Sequence, residues 1–257
     1  MPTIITTGLG DFDRIALKDK GKSRDGFWSE NILLIAGPPG SYKSTIAYRI
    51  IESNSSPDLH GLYFLFEQTK ENLWNHLREI GFNKTDIVEL IEFPFVKPGG
   101  DFPRGDDKPE YVENLNKFRD AIKQVKEGTV IAIDSFSVLD SFCNFENHRD
   151  ALQSFINLFR EKKLTVVLIW ERKSNTDYHP IFYYVDGIFS LYKWLDGDSE
   201  LFDRDTIVLK IDKMRAINHD RKFFNMKVVN DKGPKFIFSV GNPTMNKLGK
   251  ESNRLIR

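Results

Sequence analysis

Four short stretches of this chain are apolar without interruption, and each stops at a glycine or an acid. They are Ile32 to Ala36 (ILLIA), Leu62 to Phe66 (LYFLF), Val130 to Ile133 (VIAI) and Val166 to Trp170 (VVLIW), followed by Gly37, Glu67, Asp134 and Glu171. A strand with one wet face alternates polar and apolar residues; a strand apolar throughout is covered on both faces. The segments between the runs have helical spacing. Lys43 to Glu52 reads as a helix, and Leu73, Leu77 and Ile80 share one helical face. So do Leu115, Phe118, Ile122 and Val125, and again Leu152, Phe155, Ile156 and Phe159. Buried strands alternating with amphipathic helices predict an α/β fold, a mostly parallel twisted sheet flanked by helices.

The pattern changes after about residue 186. Gly187 to Trp194, Thr206 to Lys213, Phe223 to Val229 and Lys235 to Ser239 read as strands joined by polar turns at 196–205 and 230–234. With no long helix between them, they predict an antiparallel C-terminal extension of the same sheet. No linker divides the chain and no repeat recurs, so one domain is expected over 1–240, followed by a polar tail at 241–257. The segment 97–109 (KPGGDFPRGDDKP) reads as a loop over a site or pore, or as a plain exposed loop.

The first run leads into GPPGSYKST (37–45), which opens a helix. A strand, a tight turn and a helix N-terminus form the context in which G-x-x-x-x-G-K-[ST] binds phosphate. Gly37, Pro38, Pro39, Gly40, Ser41, Tyr42, Lys43, Ser44 and Thr45 are the candidate nucleotide-binding residues. Backbone N–H groups would curl around the phosphates. Lys43 would reach the β- and γ-phosphates, and Ser44 would ligate Mg²⁺. Tyr42 departs from the pattern, standing where it has its second glycine. Its side chain would either crowd the phosphates or fix the loop in one shape.

The acids after the other runs lie at the same edge of the sheet. Asp134 is placed to hold magnesium with Ser44, in the manner of a Walker B acid. Glu67 is placed to orient or deprotonate a water facing the γ-phosphate, and Gln68 to hold that water. Glu171 and Arg172 read as a sensor of nucleotide state or as an ion pair without further role.

Composition narrows the classes. Lys plus Arg and Asp plus Glu both number 37, for a net charge of zero, which counts against a highly basic nucleic-acid binder. No run approaches the 18 or more apolar residues of a membrane helix, and the N-terminus lacks a secretory pattern. The single cysteine, Cys143, excludes an internal disulfide framework. A cytoplasmic location is expected.

In their order, TGLGDFDRI (7–15), GPPGSYKS, FLFEQTKENLWNHLREIGF (64–82), VIAIDSFSVL (130–139), TVVLIWER (165–172) and KMRAINHDRKFFNMKVVNDKGP (213–234) resemble KaiC. The chain is identified as a single-domain member of the KaiC-like branch of RecA-fold ATPases, the resemblance running from about 7 to 240. It implies a RecA-like P-loop core, binding of ATP and ADP with Mg²⁺, and a homo-oligomer, most readily a hexameric ring with nucleotide between subunits. It also implies that Lys213 and Arg215 reach the neighbour's γ-phosphate as catalytic cations beside Lys43 and Glu67. From the residues alone, both would simply be solvent-facing charges at a strand end. KaiC carries two such domains, so a two-tiered ring from one chain is not expected. Phe182 and Tyr183 stand where its autokinase half has a Ser-Thr pair, so self-phosphorylation is not expected either.

The leading expectation is a slow, ring-forming regulatory ATPase. The alternatives are a motor stimulated by nucleic acid, touching it through 172–180 and the tail, and a non-hydrolysing switch that docks a signalling protein. Phe142 and Phe145 are core residues or a subunit contact on this reading.

Overall fold

The structure, a computed structural model, describes residues 2–17, 25–93, 108–143, 145, 147–172, 179–194 and 206–240. In chain order, the N-terminal half contains β1 (Ile4–Ile5), α1 (Phe12–Ala16), β2 (Phe27–Trp28), β3 (Ile32–Gly37), α2 (Lys43–Ser53), β4 (Gly61–Leu65), α3 (Lys70–Ile80) and β5 (Val88–Glu92). There follow α4 (Lys108–Gln124), β6 (Val130–Asp134), α5 (Phe136–Cys143), α6 (Arg149–Glu161), β7 (Thr165–Glu171) and α7 (Ile181–Tyr184). Four strands close the fold: β8 (Gly187–Trp194), β9 (Thr206–Met214), β10 (Phe223–Asn230) and β11 (Pro234–Val240).

Nine strands form one sheet in the order β11-β10-β9-β8-β3-β7-β6-β4-β5. From β8 to β5 every pair is parallel; from β8 to β11 every pair is antiparallel. The α/β class, the RecA-like sheet and its antiparallel extension are therefore as the sequence predicts. Residues 94–107, all of the turn expected at 196–205 and the tail expected at 241–257 lie outside the described residues. The last two residues of the expected 97–109 loop instead open α4.

The pleat explains the uninterrupted runs. In β3, Ile32, Leu34 and Ala36 face one core, with α4, α5, α6 and α7, while Leu33 and Ile35 face the other, with α1, α2 and α3. Every residue of β3 is buried. Fully burying a Leu, Ile or Phe side chain stabilises by roughly 1.5–3 kcal/mol, so both faces resist polar substitution. In α6 the expected face, Leu152, Phe155, Ile156 and Phe159, is the buried one. α3 starts at Thr69, whose hydroxyl accepts from the Asn72 N–H at 3.2 Å, and stops at Gly81 with φ 102°.

Four elements carry no strong sequence signal. β5 (VELIE), at the sheet's edge, mixes two exposed glutamates with Val88, Leu90 and Ile91. β1 and β2 are two residues each and form their own small antiparallel sheet. α5 is eight residues, too short to show a period. Phe145 is core, 3% exposed and stacked on Phe136 at 5.7 Å, so the subunit-contact alternative falls for it. The side chain of Phe142 lies outside the described residues. Among the described residues no helix is long and apolar enough to cross a membrane.

Candidate functional site

The carboxyl ends of β3, β4, β6 and β7 gather the chemistry. β3 ends at Gly37, and a tight loop leads into α2 at Lys43. A Cβ on Gly37 would meet Leu191 Cβ at 2.8 Å and Ser41 Oγ at 2.9 Å, so only glycine lets β8 press against the loop. Gly40 has φ +68°. Tyr42 has φ 63° and ψ 22°, the left-handed conformation that glycine adopts without strain. The loop thus keeps a glycine's backbone shape at the departure from the pattern. That shape costs a non-glycine residue roughly 1–2 kcal/mol, partly offset by packing of the Tyr42 ring against the core. No side chain caps α2, which leaves its first N–H groups for an anion.

Ser41 Oγ and Lys43 Nζ both donate to the Pro38 carbonyl, at 2.8 and 2.7 Å. Burial lowers the pKa of Lys43, and the charges of Glu171, Asp134 and Glu67 oppose that shift. Those three acids are the ones that follow β7, β6 and β4. Asp134 is 3% exposed. Burial raises its pKa, and hydrogen bonds from Ser44, Tyr63 and Gln68, set against the repulsion of Glu67, pull it back. The Tyr63 hydroxyl donates to Asp134 Oδ2 at 2.8 Å and Gln68 Nε2 reaches the same oxygen at 3.3 Å. Glu67 is exposed, and its Oε2 accepts from Ser135 Oγ at 3.0 Å. Thr45 Oγ1 lies 3.2 Å from His76 Nε2, which ties the first turn of α2 to α3.

The structure therefore brings together Gly37 to Thr45, Glu67, Gln68 and Asp134. Gln68 binds the carboxylate of Asp134. Glu171 and Arg172 do not pair with each other among the described residues. Arg172 lies 4.0 Å from Asp212 with its guanidinium over the Phe182 ring at 5.3 Å, and its N–H donates to the Gly37 carbonyl at 3.1 Å. The charge of Glu171 acts on Lys43.

Lys213 and Arg215 lie elsewhere. Met214 pairs with Gly187, and Gly187 pairs with Leu33, four residues before Gly37. Lys213 is level with Leu34 through Ile188, so at about 3.3 Å per residue it sits about 10 Å along the strands from its own loop, and Arg215, beyond Met214, more than about 13 Å. Arg215 Nη1 reaches Asp186 Oδ1 at 3.2 Å and its Nη2 donates to the Tyr183 carbonyl at 3.1 Å. Lys213 Nζ donates to the Phe182 carbonyl at 3.0 Å. Arg160 Nη2 also reaches Asp186 Oδ1, at 3.1 Å, and Asp186 Oδ2 accepts from the Ile32 N–H at 3.0 Å. Neither cation is the plain solvent-facing charge that strand alternation suggests. Burial, then Arg215, lowers the pKa of Lys213.

Sequence reasoning missed Tyr63, Ser135, His76, Asp186 and Lys193. Tyr63 alone left a signal, as the only hydroxyl inside an apolar run, where a buried phenol needs a partner. The other partnerships arise from chain crossings that spacing does not show.

The residues present suit a nucleotide with magnesium. Ser44 and Asp134 meet as hard oxygen donors beside uncapped helix amides.

Comparison with known proteins agrees with this geometry. The KaiC ATPase family model matches residues 5–238. The crystal structure of a KaiC-like protein from the hyperthermophilic archaeon Pyrococcus horikoshii OT3 superposes with a TM-score of 0.65 at 16% identity, covering 92% of this chain and 100% of that one. Among curated proteins, none matches the sequence.

Proposed function

We propose that this chain, which belongs to the KaiC family of ATPases, binds ATP at residues 37–45 and hydrolyses it slowly within a homo-oligomeric ring, most readily a hexamer. The observation that carries the reading is the placement of buried Lys43 at the uncapped start of α2, at the same sheet edge as Asp134 and Glu171, which end β6 and β7, and Glu67, just past the end of β4. A cation and acids gathered at a helix N-terminus suit a polyphosphate that must be gripped and then cut.

In the proposed reaction, water attacks the γ-phosphorus and the bond to the bridging oxygen breaks, giving ADP and phosphate. Glu67, oriented by the Ser135 hydroxyl, aligns the water and takes its proton. Ser44 and Asp134 would hold a magnesium ion, which would supply positive charge toward the phosphates. Lys43 leaves the Pro38 carbonyl for the phosphates and stabilises the leaving side. Lys213 and Arg215 act on the neighbouring subunit's nucleotide, since their own loop lies at the other edge of the sheet. We place the protein in the cytoplasm, as a regulatory ATPase rather than an autokinase.

The test pairs two variants. Lys43→Ala should weaken ATP binding by about 10- to 100-fold in calorimetry, from loss of a charge-assisted hydrogen bond. Glu67→Gln should keep ATP affinity and lower phosphate release by about 10²- to 10⁴-fold. Equal binding by Lys43→Ala overturns the site, and unimpaired release by Glu67→Gln overturns the assigned base.

A further inference from the structure

The phosphate loop touches a second lysine that no motif contains. Ser190 of β8 pairs with Ala36 at the end of β3. β3 turns away at Gly37, and β8 runs on beside the loop to Lys193, which pairs with Ile207 of β9. Leu191 and Lys193 share one face of β8, two residues apart. That face meets the loop, because Leu191 closes on Gly37 and the Lys193 ammonium lies 2.9 Å from where a Cβ on Gly40 would stand. Among the described residues Lys193 has neither a carboxylate nor a hydrogen-bond acceptor.

Two ammonium groups held at one loop repel each other, and an anion placed between them turns that repulsion into attraction for both. Glu171 and Asp134 end β7 and β6, and Glu67 lies just past the end of β4; all three strands are to one side of β3. β8 lies on the other side. With water and magnesium assigned to the acids, the γ-phosphate belongs on their side, which leaves β8 the other end of the polyphosphate.

We propose that Lys193 is a second phosphate-binding cation, supplied from β8 to the same nucleotide that Lys43 holds and acting on its α- and β-phosphates. The assignment rests on nucleotide binding at residues 37–45. Lys193 thereby selects polyphosphate nucleotides without touching the bond that breaks.

Calorimetric titration of the wild-type protein, Lys193→Gln and Lys193→Arg with ATP, ADP and AMP tests it, alongside phosphate release. Lys193 is exposed at the surface, so both variants should unfold at the wild-type denaturant midpoint. Lys193→Gln should weaken ATP and ADP equally, by about tenfold, with the turnover rate at saturation unchanged and KM raised. Lys193→Arg should recover most of the affinity. Wild-type affinity in Lys193→Gln for ATP and ADP overturns the proposal and leaves the nucleotide site standing. A loss confined to ATP also overturns it, since that would put the ammonium on the γ-phosphate. A wild-type protein that binds no nucleotide overturns the site itself, and this inference with it.

Discussion

The two edges of one sheet hold their charges in opposite ways. At the carboxyl edge, Lys43 and Asp134 are each penalised by burial, Lys43 shifted down and Asp134 up. Tyr42 there also occupies a left-handed conformation. At the amino edge, Asp186 is buried too, but it accepts from Ile32, Arg160 and Arg215. One edge spends stability on groups poised for a ligand; the other uses a similar acid as a structural anchor. The anchor still leaves an excess of positive charge, three cations around one carboxylate. An anion brought by a neighbouring molecule would find them already positioned, with Arg215 fixed at both ends of its guanidinium.

The comparison breaks first at Arg215. If the amino edge acts only on a neighbour's nucleotide, Arg215→Ala should lower phosphate release by about 10³-fold. Its ATP affinity in calorimetry should change far less, because the cation's contribution is made to charge that develops in the transition state. Unchanged turnover would reduce the amino edge to a folding device, and the proposed exchange between subunits would go with it.

A matched pair of acid substitutions sharpens the contrast, read as denaturant midpoints. Asp186→Ala should cost about 3–5 kcal/mol, because two arginines and a backbone N–H lose a buried acceptor. Asp134→Asn should act in the other direction, raising the denaturant midpoint at pH 7. Its folded pKa stands above the ordinary value of 3.8. The folded state therefore holds that proton more tightly than the unfolded chain. The contribution of Asp134 is most favourable below about pH 4 and is lost as pH rises through the raised folded value. The advantage of asparagine should accordingly vanish near pH 3. Destabilisation of similar size by both variants would show that the two acids play one role.

Most of the carboxyl edge was legible in the sequence, for a physical reason. Asp134 and Glu67 follow apolar runs directly, Lys43 follows one after a single tight loop, and a parallel sheet places the ends of such runs together. Asp134, Glu67 and Lys43 needed only that rule. The partners of those groups needed three-dimensional crossings: Ser135 reaching Glu67, His76 reaching Thr45, and Lys193 reaching Gly40 across two strands. The amino edge was hidden because an antiparallel strand reverses direction. Spacing cannot show that the end of β9 returns to the start of β8, where Asp186 waits. β5 was hidden because, at the sheet's edge, its two exposed glutamates break the apolar run that marks the inner strands.

The smallest expected effect concerns Tyr42, where sequence left two outcomes open. Its backbone stands in the conformation that the glycine of the pattern would adopt. Tyr42→Gly should thus relieve roughly 1–2 kcal/mol of backbone strain while losing a partly buried ring of similar worth, so stability should move by less than about 1 kcal/mol. ATP affinity should stay within about threefold, since the loop's N–H groups keep their directions. A gain beyond tenfold in calorimetry would mean that the ring obstructs the phosphates. A loss of that size would mean that the ring itself holds the nucleotide. Either result would move Tyr42 from the scaffold of the carboxyl edge to its binding surface, and the strain there would then belong to recognition rather than to loop shape.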